Sequence, residues 1–276
     1  MQSKIPFIAR STDDTVNVSR THPLAELFWM LGGLVVLCGI IFIALGIITD
    51  LVVARVPVKV ERALRGIALD QYGGERHPAL NEIAGNLLAQ VPRDSPLHDY
   101  EINVYLMENE EINAVALPGG NIVVFTGLVA QVESENELAM VLAHEMGHFS
   151  HRDHLRGLGR GLGLAVIVSL LFGPDSSASD LVSGSLLSFQ AHYSQDQEAD
   201  ADRYGLDLLV RSYGHAGGSI DFFERLAAQH PDRLPYLFAS HPHPDARIAA
   251  LKERIDSYGY PSQETIPLDS ALYDVR

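Results

Sequence analysis

Cysteine is almost absent from this chain: its 276 residues contain one, Cys38, inside an apolar run. An internal disulfide is therefore excluded, and so is a zinc site built on thiolates. Any metal must be held by His and carboxylate side chains. Basic residues are scarce as well, 20 Lys and Arg against 35 Asp and Glu, for a formal charge of −15. No cationic stripe is left to neutralise a phosphate backbone, which argues against nucleic acid as a partner. No repeat is visible at the roughly 20–50-residue periods of solenoids and propellers. What the chain does have is twelve His and a 47% hydrophobic composition. That is ample for one globular domain with an accessory segment, and it excludes wholesale disorder.

One long apolar run stands out. Leu27 to Thr49 is 23 residues without a charge, about 35 Å as a helix, enough to cross a hydrocarbon core of about 30 Å. A polar tail precedes it, and it exceeds the roughly 7–15-residue apolar region of a cleaved signal, so it reads as one transmembrane anchor in contact with the bilayer. Arg10 and Arg20 precede the run, and Arg55, Lys59, Arg62 and Arg65 follow it. Basic-residue counting alone thus leans towards a cytoplasmic C-terminal domain, although Arg62 and Arg65 can belong to a folded amphipathic helix.

Val56 to Leu69 and Pro78 to Ala89 carry apolar residues at helical spacing and read as connecting helices. From Tyr100 the period changes to two, predicting three short strands joined by tight turns, with Pro118-Gly119-Gly120 as one of them. Beyond Thr126 the pattern is helical, so the fold class is α+β and mostly α, with a small β-sheet. The division expected is a polar tail at 1–23, the anchor at 24–54, connecting helices at 55–97, the main domain at 98–258 and a C-terminal tail at 259–276. Leu162 to Phe172, eleven apolar residues, is too short to span alone and is expected to be a core helix, with a membrane-interface helix or a groove lining as the alternative. The alternating glycines at 157–163 lack the spacing and the preceding strand of a nucleotide loop.

His144-Glu145-Met146-Gly147-His148 is an H-E-x-x-H motif. Ser134 with Glu137 three residues later reads as a capping box opening its helix. One helical turn separates His144 from His148, so both imidazoles can meet one zinc ion, with Glu145 beside the open coordination position. His151 and His154 further on read as solvated. A third ligand is needed, and Glu198 and Asp202, four apart on the next polar helix, can supply it: the first as ligand, the second accepting the ring N–H of a ligand His.

These features resemble the HtpX, BepA and Oma-type group of membrane-associated zinc metallopeptidases, relatives of the CAAX prenyl proteases. The resemblance runs from Ile112 to Leu251 and rests on Asn113-Ala114-Val115-Ala116-Leu117-Pro118-Gly119-Gly120, Thr126-Gly127-Leu128, the zinc helix, the Glu198-to-Gly205 stretch and Ser240-His241-Pro242. It implies a zincin-like domain holding one Zn2+ through His144, His148 and Glu198, in preference to the register of Asp196 with Asp200. It also implies a role for His241 as a latch, a fourth ligand or an oxyanion stabiliser, with His243 a weaker competitor. The prenyl proteases and HtpX have several spanning helices, whereas this chain has one clear span.

The expected chemistry is hydrolysis of peptide bonds by a zinc-activated water with Glu145 as general base. Extended polypeptide would pair with the sheet edge, with Asn113, Ala114, Gly119 and Gly120 as the substrate-binding residues and the two glycines also forming a hairpin turn. The protein so read is an anchored protease of misfolded or membrane-associated proteins in a bacterial inner membrane, its catalytic domain outside the cytoplasm. The rival readings are a catalytically silent, zinc-stabilised chaperone-like binding module and a membrane-embedded prenyl-protein protease.

Overall fold

A computed structural model describes residues 23–181, 193–229, 241 and 244–273. The chain divides into two units, residues 1–44 and 45–276. The first helix, α1 (Pro23–Val53), runs through the apolar segment, with nearly all of its side chains exposed. A helix with an apolar exterior on every side is stable only in an apolar surrounding.

In the second unit, α2 (Val58–Tyr72) and α3 (Pro78–Ala89) flank a two-residue strand, β1 (Glu75–Arg76), which has no hydrophobic pattern to betray it. Three longer strands follow: β2 (Asn103–Met107), β3 (Ala114–Leu117) and β4 (Asn121–Phe125). The sheet order is β1-β2-β4-β3. β3 and β4 form the expected hairpin, but β2 lies parallel to β4, with Tyr105 opposite Val123. The expectation of three strands joined by tight turns is therefore corrected. Residues 108–113 carry the chain across the end of β4 and are pinned there, Asn109 N–H donating to Thr126 Oγ1 at 3.1 Å and Gly127 N–H to Asn109 O at 2.8 Å.

Both faces of the sheet are covered, which is why β4 reads as a continuous apolar run. Ala114, Ala116, Ile122 and Val124 face the main core, and Val115, Leu117, Val123 and Phe125 pack with Leu69 and Tyr72 of α2. Through the core runs α5 (Glu135–His151), preceded by the single turn α4 (Thr126–Val129). Ser134 caps α5 by accepting from Glu137 N–H at 3.3 Å, but the Glu137 carboxylate returns to Glu133 N–H and to Arg225 rather than to the cap residue. Among the described residues the remaining α-helices are α6 (Asp153–Phe172), α7 (Gln195–Tyr213), α8 (Asp221–Gln229), α9 (Pro244–Tyr258) and α10 (Ser270–Tyr273). Leu80, Leu87 and Leu97 from the connecting region and Leu268 and Leu272 from the C-terminal segment share one core with α5.

Two expectations about the region after the H-E-x-x-H helix change. His154 is not solvated: it is buried, with Nε2 3.0 Å from Glu61 Oε2, and Tyr100 Oη donates to the same carboxylate at 2.8 Å. A buried carboxylate demands such partners. Residues 162–172 are not a core helix either, because Leu164, Leu170 and Phe172 on α6 are exposed.

Candidate metal centre

His144, Glu145 and His148 all sit on α5, and their placement depends on how closely α7 approaches. A Cβ at Gly147 would stand 2.9 Å from Ala201 Cα, and one at Gly205 would stand 3.0 Å from His144 N. The two small residues let the helix backbones touch, which carries Glu198 and Asp202 of α7 to the imidazoles.

His144, His148, Glu198 and His241 each offer one ligand atom, and these atoms lie within 4.8 Å of one another. His144 Nε2 and His148 Nε2 are 3.1 Å apart. Glu198 Oε2 lies 3.6 Å from the first and Glu198 Oε1 3.5 Å from the second. Both Nδ1 atoms are committed elsewhere: His144 Nδ1 is 2.9 Å from Asp202 Oδ1, and His148 Nδ1 is 3.1 Å from Asp153 Oδ2. Carboxylates only accept, so the ring protons are on Nδ1 and the Nε2 lone pairs face each other and Glu198. Three buried lone-pair donors converging on one point are mutually repulsive unless a cation lies among them, and two imidazoles with a carboxylate suit a divalent metal of the zinc type. The residues therefore fit a metal.

Without metal, a proton is the available cation. Burial by itself would lower the His148 imidazole, but the Asp153 and Glu198 bonds with the surrounding carboxylates raise it to about 9. His144 is held below its ordinary value by burial. His148 then donates from Nε2 to the neutral His144. The same burial would raise Glu198, yet His241 and the two imidazoles keep it well below the usual carboxylate range.

Arg247 of α9 went unseen in the sequence. Its guanidinium grips Asp202 with Nε to Oδ2 and Nη2 to Oδ1, both at 2.7 Å, and Nη1 stands 2.8 Å from Glu198 Oε2. Burial would push the Asp202 carboxyl up, but Arg247 holds it down at about 2. The available signal was an arginine four residues before Leu251 and eight before Ile255, on the apolar stripe of its helix; a buried arginine requires carboxylates. Asp153 was missed as well, and so was Tyr193, whose ring stacks on His148 at 3.7 Å and 13°. Asp153 is reached through Arg152, which ends α5 in the left-handed region at φ 58° and turns the chain so that the next carboxylate folds back onto His148.

His241 completes the cluster. Its Nδ1 is 2.9 Å from Glu198 Oε1, its Nε2 is 3.6 Å from Glu145 Oε1, and its carbonyl accepts from Arg247 at 3.3 Å. His243 lies outside the described residues. Asp196 is exposed and Asp200 pairs with Arg203, so the competing register faces away from the cluster. Glu145 is buried, and its Oε2 has no hydrogen-bond partner among the described residues.

A cavity opens beside Glu145 and His144, walled by Val141, Phe222, Phe223 and Leu226 and by Asn113 and Ala114 from the start of the edge strand β3. Gly119 and Gly120 do not reach it. They occupy the turn at the other end of β3, at φ 86° and 89°, where Gly120 O accepts from Asn103 N–H at 2.9 Å and a Cβ on Gly120 would stand 2.7 Å from Glu101 O. As a turn they stand four strand residues, roughly 13 Å, from the cavity end.

Comparison with known proteins agrees with this geometry. The chain is 33% identical over 163 residues to the beta-barrel assembly-enhancing protease of Yersinia pestis, covering 54% of this chain and 34% of the relative. It is 27% identical over 180 residues to metalloprotease YcaL of Escherichia coli strain K12, covering 63% and 70%. It is 33% identical over 150 residues to the mitochondrial metalloendopeptidase OMA1 of Arabidopsis thaliana, covering 54% and 30%. The chain thus spans about a third of the length of the assembly-enhancing protease it matches. Residues 75–255, more than half of the chain, match Peptidase family M48, and the chain belongs to that family of metallopeptidases.

Proposed function

We propose that this protein is a membrane-anchored zinc endopeptidase that cleaves unfolded or misassembled polypeptide. The observation that carries the reading is the convergence of the two Nε2 atoms and the Glu198 carboxylate beside a buried Glu145 whose Oε2 has no hydrogen-bond partner among the described residues. His144, His148 and Glu198 hold one zinc ion, with Asp202 and Asp153 fixing the two imidazole tautomers from behind. When bound, zinc supplies Lewis acidity towards the scissile carbonyl and the attacking water.

The remaining work falls to the chain. Glu145 accepts the proton of the attacking water on Oε2 and delivers it to the leaving amine. The substrate lies extended against the start of β3, taking backbone hydrogen bonds at Asn113 and Ala114, and places an apolar side chain between Phe222, Phe223 and Leu226. His241, seated across Glu198 and Glu145, acts as a latch that swings aside when substrate enters. The anchor belongs in a bacterial inner membrane with the domain outside the cytoplasm, a reading supported by relatives whose names concern beta-barrel assembly.

Incubation of the purified full chain with unfolded casein tests this. Hydrolysis should disappear on chelation and return with one equivalent of zinc. Metal-dependent binding of casein without cleavage would instead establish the silent binding module.

A further inference from the structure

The apolar face of α6 needs an occupant. Leu162, Leu164, Val166, Leu170, Leu171 and Phe172 are all exposed, Leu170 at 80% and Leu171 at 71%. Within the same unit α6 runs antiparallel to the C-terminal end of α1. Arg156 Nε is 3.0 Å from Asp50 Oδ1, a Cβ on Gly159 would stand 2.7 Å from Thr49 Cγ2, and one on Gly163 would overlap Leu45 Cδ1. Gly159 and Gly163 are thus where α6 lies flush on α1, and the packing continues past Thr49, the last residue of the uncharged run. Whatever medium covers the end of α1 extends over the start of the α6 apolar segment.

We infer that the α6 segment Gly161–Phe172 is inserted in the acyl chains of the leaflet nearest the domain. Twelve residues reach about 18 Å as a helix, short of the roughly 30 Å hydrocarbon core, so α6 enters obliquely from one side and does not cross. Its ends fit that placement. Arg156 and Arg160 stand at the start, where long basic side chains reach headgroups. At the far end the Gly173 carbonyl accepts from Ser176 Oγ at 2.9 Å and Ser179 Oγ at 2.7 Å, satisfying backbone freed at the break. Asp153, in the first turn of the same helix, bonds to His148. Eight residues separate it from Gly161, about 12 Å along the helix. The metal centre is therefore held close to the bilayer surface, over polypeptide segments that emerge from or lie on the membrane.

The inference rests on α1 being the anchor, and Cys38 keeps the two separable. The full chain is labelled with bimane at native Cys38, or, in a Cys38→Ser background, at a single cysteine in Val166→Cys, Leu170→Cys, Phe172→Cys or the exposed reference Glu253→Cys. Each is reconstituted in phosphatidylcholine–phosphatidylglycerol vesicles after a check that zinc content is unchanged. Nitroxide on the acyl chains should cause a loss of emission at 166, 170 and 172 comparable to that at Cys38, with aqueous iodide acting only on the Glu253 site. Quenching of the α6 sites by iodide and not by lipid, with Cys38 still lipid-quenched, overturns the insertion alone. Shielding of the α6 sites from both quenchers overturns it in favour of a protein cover, such as a second copy of the chain. Loss of lipid quenching at Cys38 overturns the anchor itself.

Discussion

Replacing Arg247 with methionine keeps much of the side chain's bulk and removes its charge from between Glu198 and Asp202. Three contacts of 2.7–2.8 Å are lost at once. Leaving buried carboxylates without their countercharge costs about 3–5 kcal/mol. Part of this is visible through pH. Asp202 is held at about 2 against an ordinary 3.8, a difference corresponding to about 2 kcal/mol of stability. Because the folded value is the lower one, that contribution is complete above the unfolded value and is lost as pH falls through about 2. In Arg247→Met the main opposition to burial is gone and only the His144 ring N–H still favours the ionised form, so Asp202 rises from about 2 and its contribution to stability at neutral pH shrinks. Urea unfolding of the chelated full chain in detergent, wild type beside variant, should show a gap of about 3–5 kcal/mol at pH 7 that narrows steadily towards pH 3. A gap that is absent, or that keeps its size across the range, would refute the reasoning.

Asp153→Ala should weaken zinc affinity roughly 10–100-fold, since it removes the acceptor that fixes the His148 tautomer; unchanged affinity in a competition titration would show that Asp153 does not orient the ligand. Zinc binding to the metal-free chain at pH 7–8 should release about one proton, because His148 is protonated below about 9 and must bare Nε2 to ligate. Affinity should accordingly rise with pH up to that value. Calorimetry in buffers of different ionisation enthalpy reads the proton directly, and a buffer-independent heat would contradict the assignment.

Much of the site was legible because it is local in sequence. His144, Glu145 and His148 fall on one face of α5 by helical period alone, and Glu198 with Asp202 repeats that logic on α7. The β3–β4 hairpin was equally plain from its Pro-Gly-Gly turn. What escaped depends on long-range packing. The parallel pairing of β2 with β4 is set by the crossing of residues 108–113 over Thr126, which no strand pattern encodes. Arg247 meets Asp202 across 45 residues. His154 was misread as solvated because its partner, Glu61, lies 93 residues away, on a helix read only as a connector. The α6 face was misread because apolar residues inside a domain sequence resemble core until a structure shows them exposed.

The central claim, that Glu145 performs chemistry at a metal held by its neighbours, is tested most directly by Glu145→Gln. The amide is nearly isosteric, leaves His144, His148 and Glu198 in place, and takes no proton from water. The variant should bind one zinc per chain, unfold at the same urea concentration as wild type and lose casein hydrolysis by about 100-fold or more. Casein turnover near the wild-type rate with zinc retained would contradict the account.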